Sequence, residues 1–329
     1  MKKIKLSINS PKKGLLRQTP NNDGIWGDYK FFINDPVEEC DYWVICSKGE
    51  KQNNKTKVSK DNLVLLTGEP ESVYHYAPGF IKNFGRILTF RKDIKHPNVI
   101  NNIQPAQPWW LGRKMLENGL IEFSSDYDEL SKPVKDKKKL ISVITSSKAF
   151  TQGHKDRINF VKKLKDYFGD QLDVFGKGIN SFEDKWETLR EYKYHIVIEN
   201  SSCDDNWTEK LADNYLAECF PFYHGCKNLN KYFNDNAFKL IDINNFDASV
   251  KIIEEGIANN LYVESYSAIT KAKRKVMEEY NIFPMLINEL TKINGQSDKE
   301  IVRMKHEQSY FDIYKIWLII KRFYTNKFK

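Results

Sequence analysis

Short apolar runs alternate with amphipathic stretches along the second half of the chain, and this alternation limits the possible folds more than any other feature. From residue 140 onward the runs LISVITSS, LDVFGKG, YHIVIENS, PFYHG and FKLIDI each precede a segment with a helical pattern. Strand-like runs that alternate with helices are typical of α/β folds with parallel sheets. The sequence therefore predicts a Rossmann-like domain after residue 140.

The first half repeats the pattern, with strand-like runs at IKLSI, DYWVIC, NLVLLTG and GRILTF. Between the halves, residues 131–139 (SKPVKDKKK) contain five lysines and one proline, a composition typical of a linker. We therefore expect an α/β protein with two Rossmann-like domains facing across a cleft. The expected domains cover residues 1–135 and 136–295, and a helical tail rich in basic and aromatic residues covers 296–329.

Composition excludes a disordered chain, because 329 residues with 40% apolar and 13% aromatic side chains are enough for buried cores. The formal charge of +8 suits phosphate-bearing or anionic partners, and solubility alone explains it equally well. It also raises a nucleic-acid-binding protein as a rival of another class. However, the basic residues are scattered and no nucleic-acid-binding module is recognised, so we expect no nucleic-acid partner.

Several features predict a cytoplasmic protein. The five cysteines form no C-x-x-C pair, which favours a reducing compartment. The sequence MKKIKLSINSPKKG lacks the apolar run of a secretory signal, and no run approaches the ~18 apolar residues of a membrane span. The segment 309–329 combines five basic residues with an apolar block. It predicts either an amphipathic helix at an anionic membrane surface, here the inner membrane, or a terminal helix packed across both domains.

One turn concentrates charge between a predicted strand and a predicted helix, in the sequence ENSSCDDNWTEK of residues 199–210. Ligands bind beyond the carboxyl ends of strands in open α/β sheets, which is where Glu199, Asn200 and Ser201 should lie. Asn206 as N-cap with Glu209 three residues later would form a capping box. Lys210 does not fit that interpretation, because a cation in the first turn opposes the helix dipole. A phosphate at the same helix terminus would explain it.

Two adjacent carboxylates, Asp204 and Asp205, resemble the D-x-D metal motif of some transferases, but acidic residues at a helix start are more often caps. We therefore expect no metal. The turn at FGKG, with Gly176 and Gly178, offers a backbone approach to phosphate, although a single G-x-G is a common turn. The adjacent Trp109 and Trp110 are predicted to be core residues, with stacking on a sugar ring as the alternative.

The run E-N-S-x-C-x-D-x-x-T-E-K followed by PFYHG resembles the donor-binding motif of the α-1,3/4-fucosyltransferases, glycosyltransferase family 10. The resemblance extends over about residues 140 to 290. It implies a GT-B fold and an inverting transfer of L-fucose from GDP-fucose, without a required cofactor, to a hydroxyl of a surface glycan such as lipopolysaccharide or an oligosaccharide. The first domain would then bind the acceptor and the second the nucleotide sugar, in a protein of bacterial type.

The same resemblance implies roles for individual residues. Glu209 would hold the ribose hydroxyls, and Lys210 and Arg157 would face the diphosphate. The other donor-binding residues would be Glu199, Asn200, Ser201 and Thr208.

In the first half, Glu69 stands where the family has its proposed catalytic base, in the strand-ending sequence LLTGEPES, and Glu71 competes for this role. The chain departs from the family pattern at Asn206, where a tyrosine is usual. Either the aromatic side chain of the donor site has shifted by one position to Trp207, or the donor pocket differs. This departure keeps open another GDP-activated deoxy sugar as donor. A non-catalytic carbohydrate-binding relative is disfavoured, because the candidate charged residues are all present.

Overall fold

The computed structural model describes residues 1–71, 73–104, 108–116, 118–145, 152–293 and 297–310, with the backbone alone for 152–154. Its strands are β1 (Lys2–Ser7), β2 (Ile25–Trp26), β3 (Tyr29–Ile33), β4 (Tyr42–Cys46), β5 (Asn54–Ser59), β6 (Leu63–Leu66), β7 (Arg86–Leu88), β8 (Val99–Ile100), β9 (Arg113–Met115), β10 (Ile121–Phe123), β11 (Lys139–Ile144), β12 (Leu172–Phe175), β13 (Tyr192–Ile198), β14 (Phe220–His224), β15 (Lys239–Leu240) and β16 (Lys299–Met304). Its α-helices are α1 (Lys12–Leu16), α2 (Pro78–Ile81), α3 (Tyr127–Ser131), α4 (Gln152–Phe168), α5 (Trp186–Leu189), α6 (Glu209–Leu216), α7 (Phe246–Ala258), α8 (Leu261–Glu264), α9 (Tyr266–Glu278) and α10 (Ile282–Leu290).

The chain forms two compact units. The first comprises Met1–Leu15, Gly24–Pro105 and Leu286–Lys329, and the second comprises Leu16–Asp23 and Ala106–Met285. Each unit contains a sheet of mostly parallel strands. The predicted α/β class with two parallel-sheet units, as in GT-B proteins, is confirmed.

The sheet of the first unit has the strand order β2-β3-β1-β4-β6-β7-β8, and every pairing except β2 with β3 is parallel. Strands β4 and β6 are buried at every residue. The uninterrupted apolar sequences YWVIC and LVLL are what strands covered on both faces require. Trp43, Leu65, Phe80 and Ile87 belong to the core on one side of this sheet.

The described part of the predicted helical tail, residues 297–310, contains a strand followed by a short 3-10 helix (Glu307–Ser309) rather than an α-helix. Strand β16 pairs antiparallel with β5, from Lys299 opposite Ser59 to Met304 opposite Asn54. The β-branched pair in KEIVRM favours an extended conformation, and the unpaired side of β5 offers it a ladder. The chain therefore returns to the first unit within α10, at Leu286.

The sheet of the second unit has the strand order β12-β11-β13-β14-β15, and all its pairings are parallel. The chain passes from β11 to β12 on one side and then to β13 on the other side, so the strand order reverses between β11 and β13. In a doubly wound sheet this reversal opens a crevice beyond the carboxyl ends of the two strands. The topology therefore places a ligand site at Ile144 and Ile198, where β11 and β13 end.

The lysine-rich segment 131–139 lies wholly within the second unit, although its composition suggested a linker between the domains. Lys137 donates to the carbonyls of Leu189 and Ala217, at 3.1 and 2.5 Å. The backbone N–H of Val134 donates to Glu218 at 3.2 Å. Long lysine side chains satisfy buried carbonyls here, which composition alone does not distinguish from solvation.

Candidate functional site

A cavity of about 390 Å³ lies at the carboxyl ends of β11 and β13, where the strand order reverses. Its walls include the ends of both strands, the first turn of α6 and two aromatic side chains, Trp110 and Phe182. All of its lining residues belong to the second unit. The volume falls within the ~300–1,000 Å³ typical of small-molecule sites.

Most of the charged side chains that line the cavity are cationic. Its described lining contains one carboxylate, Glu209, and four basic side chains: Arg113, Arg157, Lys185 and Lys210. A concave site that presents several cationic groups attracts anions. An anionic ligand therefore fits it.

Glu199 organises the first turn of α6 from beneath. Its carboxylate accepts hydrogen bonds from the backbone N–H of Thr208 at 2.8 Å and from the Thr208 hydroxyl at 2.7 and 2.9 Å. It also pairs with Lys210 Nζ at 3.2 Å. The Glu199 side chain is 1% exposed and does not line the cavity, which corrects the expectation that it would contact the ligand directly.

Glu209 and Lys210 are held charged by each other and by their neighbours. Burial works to lower the pKa of Lys210, but Glu199 and Glu209 raise it above its ordinary value. Burial likewise works to raise the pKa of Glu209, while Lys210 and Lys185 bring it below the ordinary value. The first turn of α6 therefore offers a fixed ammonium and a fixed carboxylate side by side, with Lys210 Nζ 3.3 Å from Glu209 Oε1.

Arg157 lies in the second turn of α4, and its guanidinium reaches the end of β13. Its Nη1 donates to Asn200 Oδ1 at 2.7 Å, and both residues line the cavity. Burial lowers the pKa of Arg157, although an arginine remains charged in such surroundings. Nearby, the Thr145 hydroxyl is buried and has no hydrogen-bond partner among the described residues. Buried hydroxyls normally have a partner, so a ligand atom fits this position.

Two further cavity residues, Lys185 and Trp110, are joined through Asp213. Lys185 Nζ lies 2.7 Å from Asp213 Oδ2, and the buried Asp213 accepts the backbone N–H of Trp110 at 3.0 Å. Asp213 follows Glu209 by one turn of α6. Sequence reasoning missed Lys185, because it precedes a short helix with no motif around it.

Residues 134–259 match the family model described as "Glycosyltransferase family 10 (fucosyltransferase) C-term". This segment belongs to glycosyltransferase family 10. The family 10 segment contains β11 to β15, the first turn of α6 and every predicted donor-binding residue.

Similar proteins include the α-(1,3)-fucosyltransferase FucT of Helicobacter pylori, 33% identical over 73 residues, which are 22% of this chain and 15% of that protein. The GDP-fucose protein O-fucosyltransferase 3 of Danio rerio is 25% identical over 100 residues, covering 26% of this chain and 21% of that protein. These matches thus span about a fifth or less of each relative. A crystal structure of an α1,3-fucosyltransferase with GDP-fucose has 18% identity and a TM-score of 0.45, covering 86% of this chain and 92% of that one.

Within the family 10 segment, the cavity brings together Arg157, Asn200, Glu209 and Lys210 from the predicted set. Thr208 lies directly behind them as the N-cap of α6, its hydroxyl accepting the backbone N–H of Lys210 at 3.3 Å. Ser201, Gly176 and Gly178 are not among the lining residues. The two glycines form a turn after β12, with φ angles of 149° and 85°.

Asn206 and Trp207 differ from their predicted roles. Thr208, not Asn206, caps α6, and Asn206 is 5% exposed. Trp207 is 3% exposed and packs edge-on against Phe233 and Tyr280, with ring centroids 5.1 and 5.4 Å away. Neither residue lines the cavity, because the preceding loop turns the aromatic side chain into the core.

Asp205 anchors that loop. It adopts a left-handed backbone conformation with φ of 56°, and its carboxylate accepts from Asn228 and from the Tyr232 hydroxyl, each at 2.8 Å. Neither Asp204 nor Asp205 caps α6. In the part of the chain that the structure describes, no group of three or more His, Cys, Asp or Glu side chains is placed to hold a metal ion.

Glu69 lies in the first unit, three residues after the end of β6, and its side chain is exposed. Its backbone carbonyl accepts from Arg91 Nη1 at 3.2 Å, which fixes the position of the turn. Glu71 is also exposed. The assignment of the base to Glu69 stays a prediction.

The predicted membrane-binding segment, residues 309–329, lies outside the described residues except for Ser309 and Tyr310. None of the described helices has the length and apolar character needed to cross a membrane.

Proposed function

We propose that the protein is a fucosyltransferase that binds GDP-fucose in the cavity between β11 and β13. One observation carries the proposal: the E-N-S and T-E-K motifs of the family 10 segment contribute Asn200, Glu209 and Lys210 to the wall of a cationic cavity at the topological switch point. The named relatives include an α-(1,3)-fucosyltransferase and a GDP-fucose protein O-fucosyltransferase, which supports the donor.

The arrangement suits a diphosphate leaving group. As the bond to fucose breaks, negative charge grows on the diphosphate, and cations already in place stabilise it without reorganising. Arg157 and Lys210 are proposed to contact the phosphates, with Lys185 as a further cation and the N-terminus of α6 as a source of free N–H groups. These groups supply the positive charge that a metal ion supplies in other transferases.

Glu209 is proposed to accept hydrogen bonds from the ribose hydroxyls. Its pKa lies below the ordinary value, so the carboxylate is ionised and acts purely as an acceptor at neutral pH. Asn200 and the Thr145 hydroxyl offer further polar contacts in the same wall. Glu199 and Thr208 are proposed to act indirectly, by holding the first turn of α6.

The reaction itself is proposed to be an inverting displacement in which Glu69 removes the proton of the acceptor hydroxyl. The acceptor is proposed to be a surface glycan, lipopolysaccharide or an oligosaccharide, with an α-1,3 linkage. The residue that favoured a different GDP-activated deoxy sugar was Asn206, and Asn206 does not line the cavity. Fucose therefore remains the better supported sugar.

A thermal-shift panel tests the donor. GDP and GDP-fucose should raise the melting temperature, because a ligand at 100 times its Kd adds ~2.7 kcal/mol to the free energy of unfolding. UDP and CDP should shift it little, and Lys210→Ala should abolish most of the GDP shift. Equal shifts for all nucleotides, or a shift only with oligonucleotides, would contradict the proposal.

A further inference from the structure

The two neighbouring tryptophans behave differently. Trp109 is 2% exposed, as expected for a core residue, whereas Trp110 is 47% exposed and lines the cavity. A large exposed indole in a ligand cavity calls for an explanation, because aromatic surface is normally buried.

The backbone around Trp110 is fixed on both sides. The buried Arg17 donates to the carbonyls of Trp109 and Leu111, at 2.5 and 2.7 Å. Gln18 accepts the N–H of Trp109 at 2.9 Å, and Asp213 accepts the N–H of Trp110 at 3.0 Å. The chain therefore holds an exposed aromatic ring in one place, which limits the entropy lost when a ligand stacks on it.

Arg113 supports the ring. Its guanidinium carbon lies 5.0 Å from the centre of the Trp110 ring, and its backbone N–H donates to the Trp110 carbonyl at 3.1 Å. Both side chains line the cavity. The guanidinium lies over one face of the indole ring, so the cavity holds an aromatic surface backed by positive charge.

The backbone of Trp110 is tied to α6 one turn beyond Glu209, the residue proposed to hold the ribose. Lys210 and Glu209 lie at the first turn, where the proposed function puts the diphosphate and the ribose. Trp110 is bonded to Asp213, one turn further along the helix, a rise of ~5.4 Å. A base attached to the ribose would extend by about this distance.

We propose that Trp110, supported by Arg113, is the stacking platform for the guanine base of the donor. The inference rests on the proposed function, since it takes the diphosphate and ribose positions from it. Trp110 thereby contributes to affinity for the nucleoside rather than for the phosphates or the sugar.

Calorimetry with GDP and with inorganic pyrophosphate tests this on the full-length chain. Base stacking on an aromatic ring is worth ~1–3 kcal/mol, so Trp110→Ala should weaken GDP binding about 5- to 150-fold. Pyrophosphate has no base, so its affinity should not change. Trp110→Phe should restore most of the GDP affinity, and Tyr167→Ala, which removes an equally exposed aromatic outside the cavity, should bind both ligands normally.

The outcomes distinguish failure of the proposed function from failure of the stacking role of Trp110 alone. If the unaltered protein binds no GDP, the proposed function fails. If it binds GDP and Trp110→Ala binds it equally well, only the platform is wrong. An equal loss for GDP and pyrophosphate would also overturn the platform, because it would show that Trp110 supports the fold of the cavity.

Discussion

The cavity of the second unit and the Glu69 turn of the first unit both follow a buried parallel strand, yet they hold their charged groups in opposite ways. In the cavity, buried carboxylates fix the cations: Glu199 holds Lys210, and Asp213 holds Lys185. At the Glu69 turn the carboxylate is exposed and has no hydrogen-bond partner among the described residues. Only its backbone is held, by Arg91.

The difference is consistent with the two roles proposed for these regions, donor binding and proton removal. A binding site for a ligand of constant charge gains from cations that are already in place, because no reorganisation accompanies binding. A general base must meet a hydroxyl that arrives with each acceptor, so a free carboxylate on a fixed backbone suits it. The comparison therefore predicts that changes in the cavity affect affinity and that changes at the turn affect turnover.

The largest expected effect is on turnover. Glu69→Gln keeps the shape of the side chain but removes the proposed base, so turnover of GDP-fucose should fall by ~10²-fold or more. GDP affinity should stay nearly constant, because Glu69 does not line the cavity proposed to bind the donor. Steady-state kinetics and calorimetry on the same samples check both expectations.

Glu71→Gln is the matched control, since Glu71 is equally exposed and lies two residues further along the same turn. It should retain near-normal turnover. A dead Glu71→Gln enzyme, or an active Glu69→Gln enzyme, would show that the base is assigned to the wrong residue.

Next in size are the effects on donor affinity. Arg157→Ala and Lys210→Ala should each remove a charge-assisted contact worth ~1.5–3 kcal/mol, which is about 10- to 150-fold in the Kd for GDP. Lys210→Ala should also lower the urea midpoint of unfolding, because it leaves the buried Glu199 without its cation.

Lys162→Ala, an exposed lysine of α4 outside the cavity, should change neither quantity. Unchanged GDP affinity in both cavity variants would contradict the placement of the diphosphate. If Arg157→Ala lowers the urea midpoint more than Lys210→Ala does, the Glu199–Lys210 pair contributes less to stability than we expect.

The sequence predicted some features of the fold and the cavity but not others. The parallel strands and the T-E-K turn were predictable, because buried parallel strands are uninterrupted apolar runs and a lysine in a first helical turn needs an anion or a carboxylate nearby. The structure supplies both a cavity and Glu199 for that lysine. The role of Glu199 was not predictable, since a carboxylate at a strand end has the same sequence signal whether it faces a ligand or the helix behind it.

Three features could be found only from the tertiary structure: the exposed Trp110, the cavity residue Lys185 and the strand β16. Two adjacent tryptophans give no sign of which one is buried, and Asp213, which accepts the backbone N–H of Trp110, lies about a hundred positions away. Lys185 lines the cavity and forms an ion pair with the same Asp213. Strand β16 depends on the free side of β5, and such long-range pairings leave little local signal.

A third prediction concerns the pH dependence of the free energy of unfolding, which tests how strongly the cavity wall is buried. His195 lines the cavity, and burial, with Lys185 and Lys137 nearby, lowers its pKa to about 3. In the unfolded chain the imidazole of His195 has an ordinary pKa of ~6.5, so it becomes protonated as the pH falls below that value. The neutral, buried His195 therefore contributes its full stabilisation above pH ~6.5. Between ~6.5 and the folded-state pKa, the free energy of unfolding falls by ~1.4 kcal/mol for each pH unit of acidification.

Urea unfolding at several pH values between about 6.5 and 5, above the range of ordinary carboxylates, isolates this contribution. His195→Gln should flatten the slope, while His96→Gln, in the first unit and half-exposed, should keep it. An unchanged slope in His195→Gln would mean that the histidine is hydrated or charged in the folded protein.

The smallest expected effect is at the backbone of the Glu69 turn. Arg91 is 4% exposed, pairs with Asp93, and donates to the carbonyls of Glu69 and Tyr74 at 3.2 and 2.7 Å. Arg91→Lys keeps the charge but lacks the planar group that makes these contacts together, so the turn should loosen. We expect a fall in kcat of up to about 10-fold, since small misplacements of a reacting group are costly.

GDP affinity should be unchanged in Arg91→Lys. Combining Arg91→Lys with Glu69→Gln should lower kcat little further, because a turn without a base has no base to misplace. If Arg91→Lys instead weakens GDP binding, or multiplies the loss of Glu69→Gln, Arg91 acts on something other than the position of Glu69.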